Sequence, residues 1–136
     1  MSDIKKQLIL VVDDDADFRE IMTSKLLSSG FAVQQAVNGA EALVSLKTLK
    51  PDLILLDMQM PIMNGAETMD KIKSDPALRD LKVVFLTGLG EKMEAGEEID
   101  KQIAGQVGAL DYIRKTDDLD AIMAHVSAIL IKKAEN

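Results

Sequence analysis

Four strand-like runs in this chain end on side chains suited to a charged phosphorus centre. Leu8-Ile9-Leu10-Val11-Val12 stops at Asp13-Asp14-Asp15, Leu53 to Leu56 stops at Asp57, Val83 to Leu86 stops at Thr87, and Leu110 to Arg114 stops at Lys115. Neighbouring carboxylates raise each other's pKa unless a cation lies among them, so the acidic group suits a hard divalent metal ion. Mg2+ fits best, because it takes one or two protein carboxylates and leaves a position for a phosphoryl oxygen. A lysine opposite the metal would neutralise remaining phosphoryl charge, and a threonine hydroxyl would donate a hydrogen bond to it. Asp57 is the natural nucleophile, since a carboxylate attacking phosphorus gives an aspartyl phosphate.

These residues meet only if the apolar runs lie side by side with their ends on one rim. Leu8 to Val12 lacks any polar alternation, as expected of a strand buried on both faces, Leu53 to Leu56 and Val83 to Leu86 read in the same way, and Phe31 to Ala36 adds a fifth strand. Helical stripes separate them: Phe18, Ile21, Met22 and Leu26 closing at Gly30, then Ala42, Leu43, Leu46 and Leu49 ending before Pro51. A loop at Pro61 to Gly65 precedes a short helix through Met69 and Ile72, which ends at Asp75-Pro76. Gly88 to Gly96 reads as a long loop or loose helix start, and Ile99, Ile103 and Val107 space a fourth helix. Leu119, Ile122, Met123, Val126, Ile129 and Leu130 form the cleanest stripe, that of a fifth helix covering the sheet. Five β-α units with short connections define an α/β fold, a doubly wound parallel sheet with ligands beyond the carboxyl ends of its strands.

The chain has 136 residues, 47% of them hydrophobic, enough for one domain with one sizeable core. Its net charge of −7 argues against direct binding to nucleic acid or to an anionic membrane surface. There is no cysteine, hence no disulfide framework or thiolate chemistry. The apolar runs fall far short of a membrane span, so no membrane insertion and a cytoplasmic location are expected. Gly88-Leu89-Gly90 lacks the lysine of a phosphate loop, and no Gly-x-Gly-x-x-Gly follows the first strand, which argues against nucleotide binding. Asp15 reads as an ordinary turn acid, His125 as a surface residue, and most of the eight methionines as core filler.

The ordered stretches Ile9 to Asp15, Asp52 to Pro61, Asn64-Gly65, Val84 to Gly88 and Gly108 to Lys115 resemble the receiver domain of bacterial two-component response regulators. The resemblance, to the chemotaxis-regulator-like single-domain type, spans nearly the whole chain. It implies one receiver domain over residues 1–136, with a core of about 7–133, and a flavodoxin-like (βα)5 fold of strand order 2-1-3-4-5. It implies that Asp57 is the phosphoacceptor, and that Asp13, Asp14, Asp57 and the Gln59 backbone carbonyl hold Mg2+, for which Mn2+ can substitute. It makes Thr87 the switch hydroxyl, Lys115 the partner of the phosphoryl group, and Tyr112 the aromatic that changes rotamer with Thr87. Gln59 and Leu89 would flank the attacking water and tune the lifetime of the phosphoryl group. The implied partners are a histidine kinase or histidine phosphotransfer protein and a downstream protein target. A dimer through the fourth helix, fifth strand and fifth helix is an assembly it allows. Such a domain catalyses its own phosphorylation and dephosphorylation but turns over no external product, so it is not an enzyme in the ordinary sense.

Two departures from the family pattern stand out. Thr116 replaces the proline that usually follows the active-site lysine, so the Lys115-Thr116 bond is either trans or held cis by its surroundings at a cost of about 2.5 to 4 kcal/mol. The stretch between Thr87 and Lys115 is also longer than usual and carries Glu91, Glu94, Glu97 and Glu98. That acidic stretch is expected to select a partner or alter the signal. Two alternatives compete: a haloacid-dehalogenase-like phosphatase with Asp13 as nucleophile, and an interaction module independent of phosphorylation.

Overall fold

The computed structural model describes residues 6–88 and 108–135. Five parallel strands, β1 (Leu8–Val12), β2 (Ala32–Ala36), β3 (Leu53–Asp57), β4 (Val83–Thr87) and β5 (Asp111–Arg114), form one sheet in the order β2-β1-β3-β4-β5. The helices among the described residues are α1 (Ala16–Ser28), α2 (Gly39–Ser45), α3 (Gly65–Ser74) and α4 (Leu119–Glu135). The α/β class, the five-stranded parallel sheet and the strand order agree with the sequence reading. The expected helix around Ile99 to Val107 and the acidic stretch around Glu91 lie outside the described residues; α4 is the fifth helix of that reading.

The sheet separates two cores because successive side chains of a strand point to opposite faces. Ile9 and Val11, Leu53 and Leu55, and Val84 and Leu86 pack against Met22 and Leu26 of α1 and Ile122, Met123, Val126 and Leu130 of α4. Leu10 and Val12, Ile54 and Leu56, and Val83 and Phe85 pack against Ala42 of α2, the following Leu46, and Met69 and Ile72 of α3. A fully buried branched side chain contributes roughly 1.5 to 3 kcal/mol, so β1, β3 and β4, buried on both faces, anchor the fold. The stripe expected for α1 is narrower than its sequence suggested. Phe18, Met22 and Leu26, four residues apart, take the inner face, and Ile21 is left half exposed.

The helix starts carry side-chain caps that hold the rim loops. Asp15 caps α1 by accepting from the backbone of Asp17 and Phe18, Asn38 caps α2 by accepting from Glu41, and Asn64 forms a reciprocal capping box with Glu67 at α3. Gly65 is required by space, since a Cβ there would lie 2.6 Å from the Asp57 carbonyl oxygen and 2.7 Å from Met58 Cα. The start of α3 is thereby pressed against the end of β3. Ile62, in the loop between them, adopts φ 68°, a left-handed conformation that β-branched residues rarely take.

Candidate functional site

The carboxyl ends of β1, β3, β4 and β5 bring Asp13, Asp57, Thr87 and Lys115 to one rim. Asp13 extends the β1 ladder by donating its backbone N–H to Ala36 O, which points it out of the sheet just past the last apolar residue. Asp57 and Thr87 are the last residues of wholly buried strands and are 4% exposed. Lys115 is tied to β4 by its backbone N–H, which donates to Thr87 O at 2.8 Å. The Lys115-Thr116 peptide is trans, so the missing proline is accommodated without a cis bond.

Carboxylate oxygens of Asp13, Asp14 and Asp57 lie within 4.8 Å of one another. Asp13 is fully buried, Asp57 nearly so, and Asp14 exposed. The Lys115 ammonium stands 2.6 Å from Asp13 Oδ2 and 3.4 Å from Asp57 Oδ2. The first contact is ionic: Oδ2 of Asp13, although buried, accepts no well-directed hydrogen bond. Burial, and then the negative charge of Asp13, push the Asp57 carboxyl up to about 7 against the opposing pull of Lys115 and the Gln59 N–H. Burial acts to lower the Lys115 ammonium, but its bond to Asp13 and the charges of Asp57 and Asp13 outweigh this and hold it above the ordinary range.

This donor set fits a hard divalent cation. Three carboxylates cluster where a single ammonium contacts two of them, the most buried of the three has an oxygen without a directed hydrogen bond, and a second is pushed toward its protonated form by burial and by the charge beside it. A cation among them relieves each of these.

The remaining expected residues fall into place unequally. Gln59 is exposed, and its backbone N–H donates to Asp57 Oδ1 at 3.3 Å. Tyr112 is half-buried on β5 opposite Phe85 of β4. Leu89 lies outside the described residues. Asp15, read as an ordinary acid, serves as the α1 cap. His125 stays at the surface, 39% exposed, but its Nε2 lies 2.8 Å from Asp111 Oδ2, a partner on β5 that no local spacing revealed.

Two further residues brace the acidic end, both on the first turn of α1. Arg19 donates from Nη1 to the Asp13 backbone carbonyl at 2.8 Å and from Nε to Gln35 Oε1, while Gln35 donates to Thr23 Oγ1. Phe18 places its ring under the Lys115 ammonium, 4.9 Å from the centroid. The sequence marked Phe18 as part of an apolar stripe and gave Arg19 no role. Their positions one turn after the acid triplet were the available signal.

Residues 9–127 match the family model of the response regulator receiver domain. The phosphate regulon transcriptional regulatory protein PhoB of Pseudomonas aeruginosa is 36% identical over 123 residues, 90% of this chain and 51% of that protein. The DNA-binding dual master transcriptional regulator RpaA of a Synechocystis strain is 33% identical over 122 residues, 90% of this chain and 48% of that protein. The chain thus spans about half the length of these curated relatives. Among solved structures, the signal receiver domain of a signal transduction histidine kinase from Syntrophus aciditrophicus superposes with a TM-score of 0.79 at 29% identity, covering 93% of this chain and 91% of that one. This chain belongs to the response regulator receiver domain family, the phosphoacceptor module of two-component systems. Domains of this family generally bind Mg2+ and interact with histidine kinases. Membership disfavours the phosphatase alternative. No helix among the described residues is long and apolar enough to cross a membrane.

Proposed function

We propose that Asp57 of this chain accepts a phosphoryl group from a phosphohistidine of a histidine kinase or phosphotransfer protein, with Mg2+ held by Asp13, Asp14, Asp57 and the Gln59 carbonyl. The observation that carries the reading is the meeting of three carboxylates and one ammonium on a rim where Asp57 ends a wholly buried strand. When bound, Mg2+ would supply positive charge to the phosphoryl oxygens and hold them in line.

The chain's own residues do the rest. Asp57 attacks as the carboxylate, a carboxylate oxygen–phosphorus bond forming as the phosphorus–nitrogen bond of the donor breaks and the imidazole leaves with the electron pair. The Asp57 carboxyl is raised to about 7 when no cation is bound; Lys115 favours the charged, nucleophilic form, and a bound cation would favour it further. The Lys115 ammonium then pairs with the phosphoryl group, and Thr87 donates its hydroxyl to it. Tyr112 follows Thr87 by changing rotamer, which alters the surface around β5 and shifts the population toward a state that binds a protein target. Gln59, beside Asp57, and Leu89, by its place two residues beyond Thr87 in the sequence, are the residues that tune the lifetime of the adduct.

The same reading makes residues 1–136 one receiver domain acting in the cytoplasm, with a core of about 7–133. It engages a downstream protein rather than nucleic acid, catalyses no reaction beyond its own phosphorylation and dephosphorylation, and has its β5 and α4 face available for pairing with a second copy. The test is the intact mass after incubation with acetyl phosphate, with and without Mg2+, for the native chain and for Asp57→Asn. One phosphoryl group on the native chain, only with Mg2+, is expected. An adduct on Asp57→Asn overturns the assignment.

A further inference from the structure

Lys115 is surrounded by groups that phosphoryl transfer itself claims. Its ammonium rests on Asp13 Oδ2 at 2.6 Å and Asp57 Oδ2 at 3.4 Å. On the reading above, a cation takes the first carboxylate and phosphorus bonds to the second. The lysine therefore loses its resting partners at the moment its charge is needed. A lysine has a flexible four-carbon stem and a strongly hydrated head, and 17% of this side chain already reaches solvent, so water competes for it.

The Phe18 ring is a partner that neither a metal ion nor a phosphoryl group competes for. It lies 4.9 Å from the ammonium, inside the range where the negative face of an aromatic ring attracts a cation, and partial desolvation strengthens that attraction. The ring is fixed from below. Phe18 N donates to the Asp15 cap, its side chain packs against the core beneath α1, and the next residue, Arg19, grips the Asp13 carbonyl. One turn of α1 thus carries both the brace of the acidic group and the seat of the opposing cation.

We propose that Phe18 is a positioning residue for Lys115, its ring face keeping the ammonium over the Asp13–Asp57 rim while the carboxylates exchange the lysine for a metal ion and a phosphoryl group. The inference rests on Asp57 being the phosphoacceptor. The competing role for Phe18 is apolar filling at the edge of the core, which leucine would serve equally well.

The experiment separates the two with the full chain, acetyl phosphate and Mg2+. Phe18→Leu keeps an apolar side chain and removes the π face; Phe18→Trp restores a stronger one; stepwise ring fluorination of Phe18 weakens the face at nearly constant shape. The expected result is about five-fold slower phosphorylation for Phe18→Leu, recovery in Phe18→Trp, and a graded decline with fluorination at unchanged urea midpoint. The second readout is the proton resonance of the Lys115 ε-methylene, shifted upfield by the ring current, which should remain so at saturating Mg2+. A Phe18→Leu rate within about two-fold of native, a flat fluorination series, or loss of the upfield shift on adding Mg2+ overturns the proposal. Failure of the native chain to take up a phosphoryl group instead overturns the Asp57 assignment, and the native control reveals which has failed.

Discussion

Replacing Asp57 with asparagine should stabilise the metal-free protein, by an amount that depends on pH. The Asp57 carboxyl has an ordinary value of 3.8 and is raised to about 7 in the fold, chiefly by burial and then by the charge of Asp13. Between those values the native state binds the proton more tightly than the unfolded chain does. The stability that the protonated carboxyl contributes is therefore fully present below pH 3.8 and is lost as pH rises through about 7. At about 1.4 kcal/mol per pH unit, the native chain forfeits about 4 kcal/mol between these limits. Asparagine is neutral throughout, and its amide oxygen can still accept from the Gln59 N–H, but it gives up the contact with Lys115 at 3.4 Å. The net gain for Asp57→Asn is about 2 to 4 kcal/mol at pH 8, shrinking toward zero at pH 4. Urea unfolding followed by far-ultraviolet circular dichroism, in chelator and at half-unit steps of pH, measures it directly. Saturating Mg2+ should erase most of the difference by stabilising the native chain alone. Equal stability of the two proteins at pH 8, or a gain that does not vary with pH, would refute the claim that Asp57 is held in an electrostatically unfavourable site.

Three other substitutions probe the frame around that site. Gly65→Ala forces a Cβ against the Asp57 carbonyl oxygen and Met58 Cα, both backbone atoms; the urea midpoint should fall by the equivalent of about 2 kcal/mol and phosphorylation by acetyl phosphate should slow. Asn64→Ala removes the side-chain half of the α3 capping box, the acceptor for Glu67 N, while the backbone N–H of residue 64 can still donate to Glu67; it should cost about 1 kcal/mol in the same unfolding assay. Ile62→Asn should stabilise by about 1 kcal/mol, because Ile62 holds φ 68° while 80% exposed, so asparagine relieves strain and loses little burial; calorimetric melting checks it.

The strands and the acidic rim were legible because both follow from local pattern. Leu53 to Asp57 reads as a strand buried on both faces with a polar end, and the structure buries all five residues. The contacts that tune the site were not legible, because they join side chains far apart in sequence through geometry that periodicity does not encode. Arg19 reaches Gln35 on β2, and His125 on α4 finds Asp111 on β5; nothing local to either pair announces the other. Ile21 misled for a related reason. A stripe spaced by three and four marks a helix but leaves its exact facing open, and the packing of Met22 and Leu26 settled it. The trans bond after Lys115 was one of two outcomes left open by Thr116, and with it the lysine keeps its backbone bond to Thr87.

The placement of Tyr112 has an optical consequence. The chain has no tryptophan and a single tyrosine, so its near-ultraviolet absorption and emission come almost wholly from that ring. The ring sits on β5, with Phe85 opposite and the Asp111–His125 pair beginning one residue earlier. A label is therefore built in at the position assigned to the switch, and changes of its environment during phosphorylation can be followed in the unmodified protein.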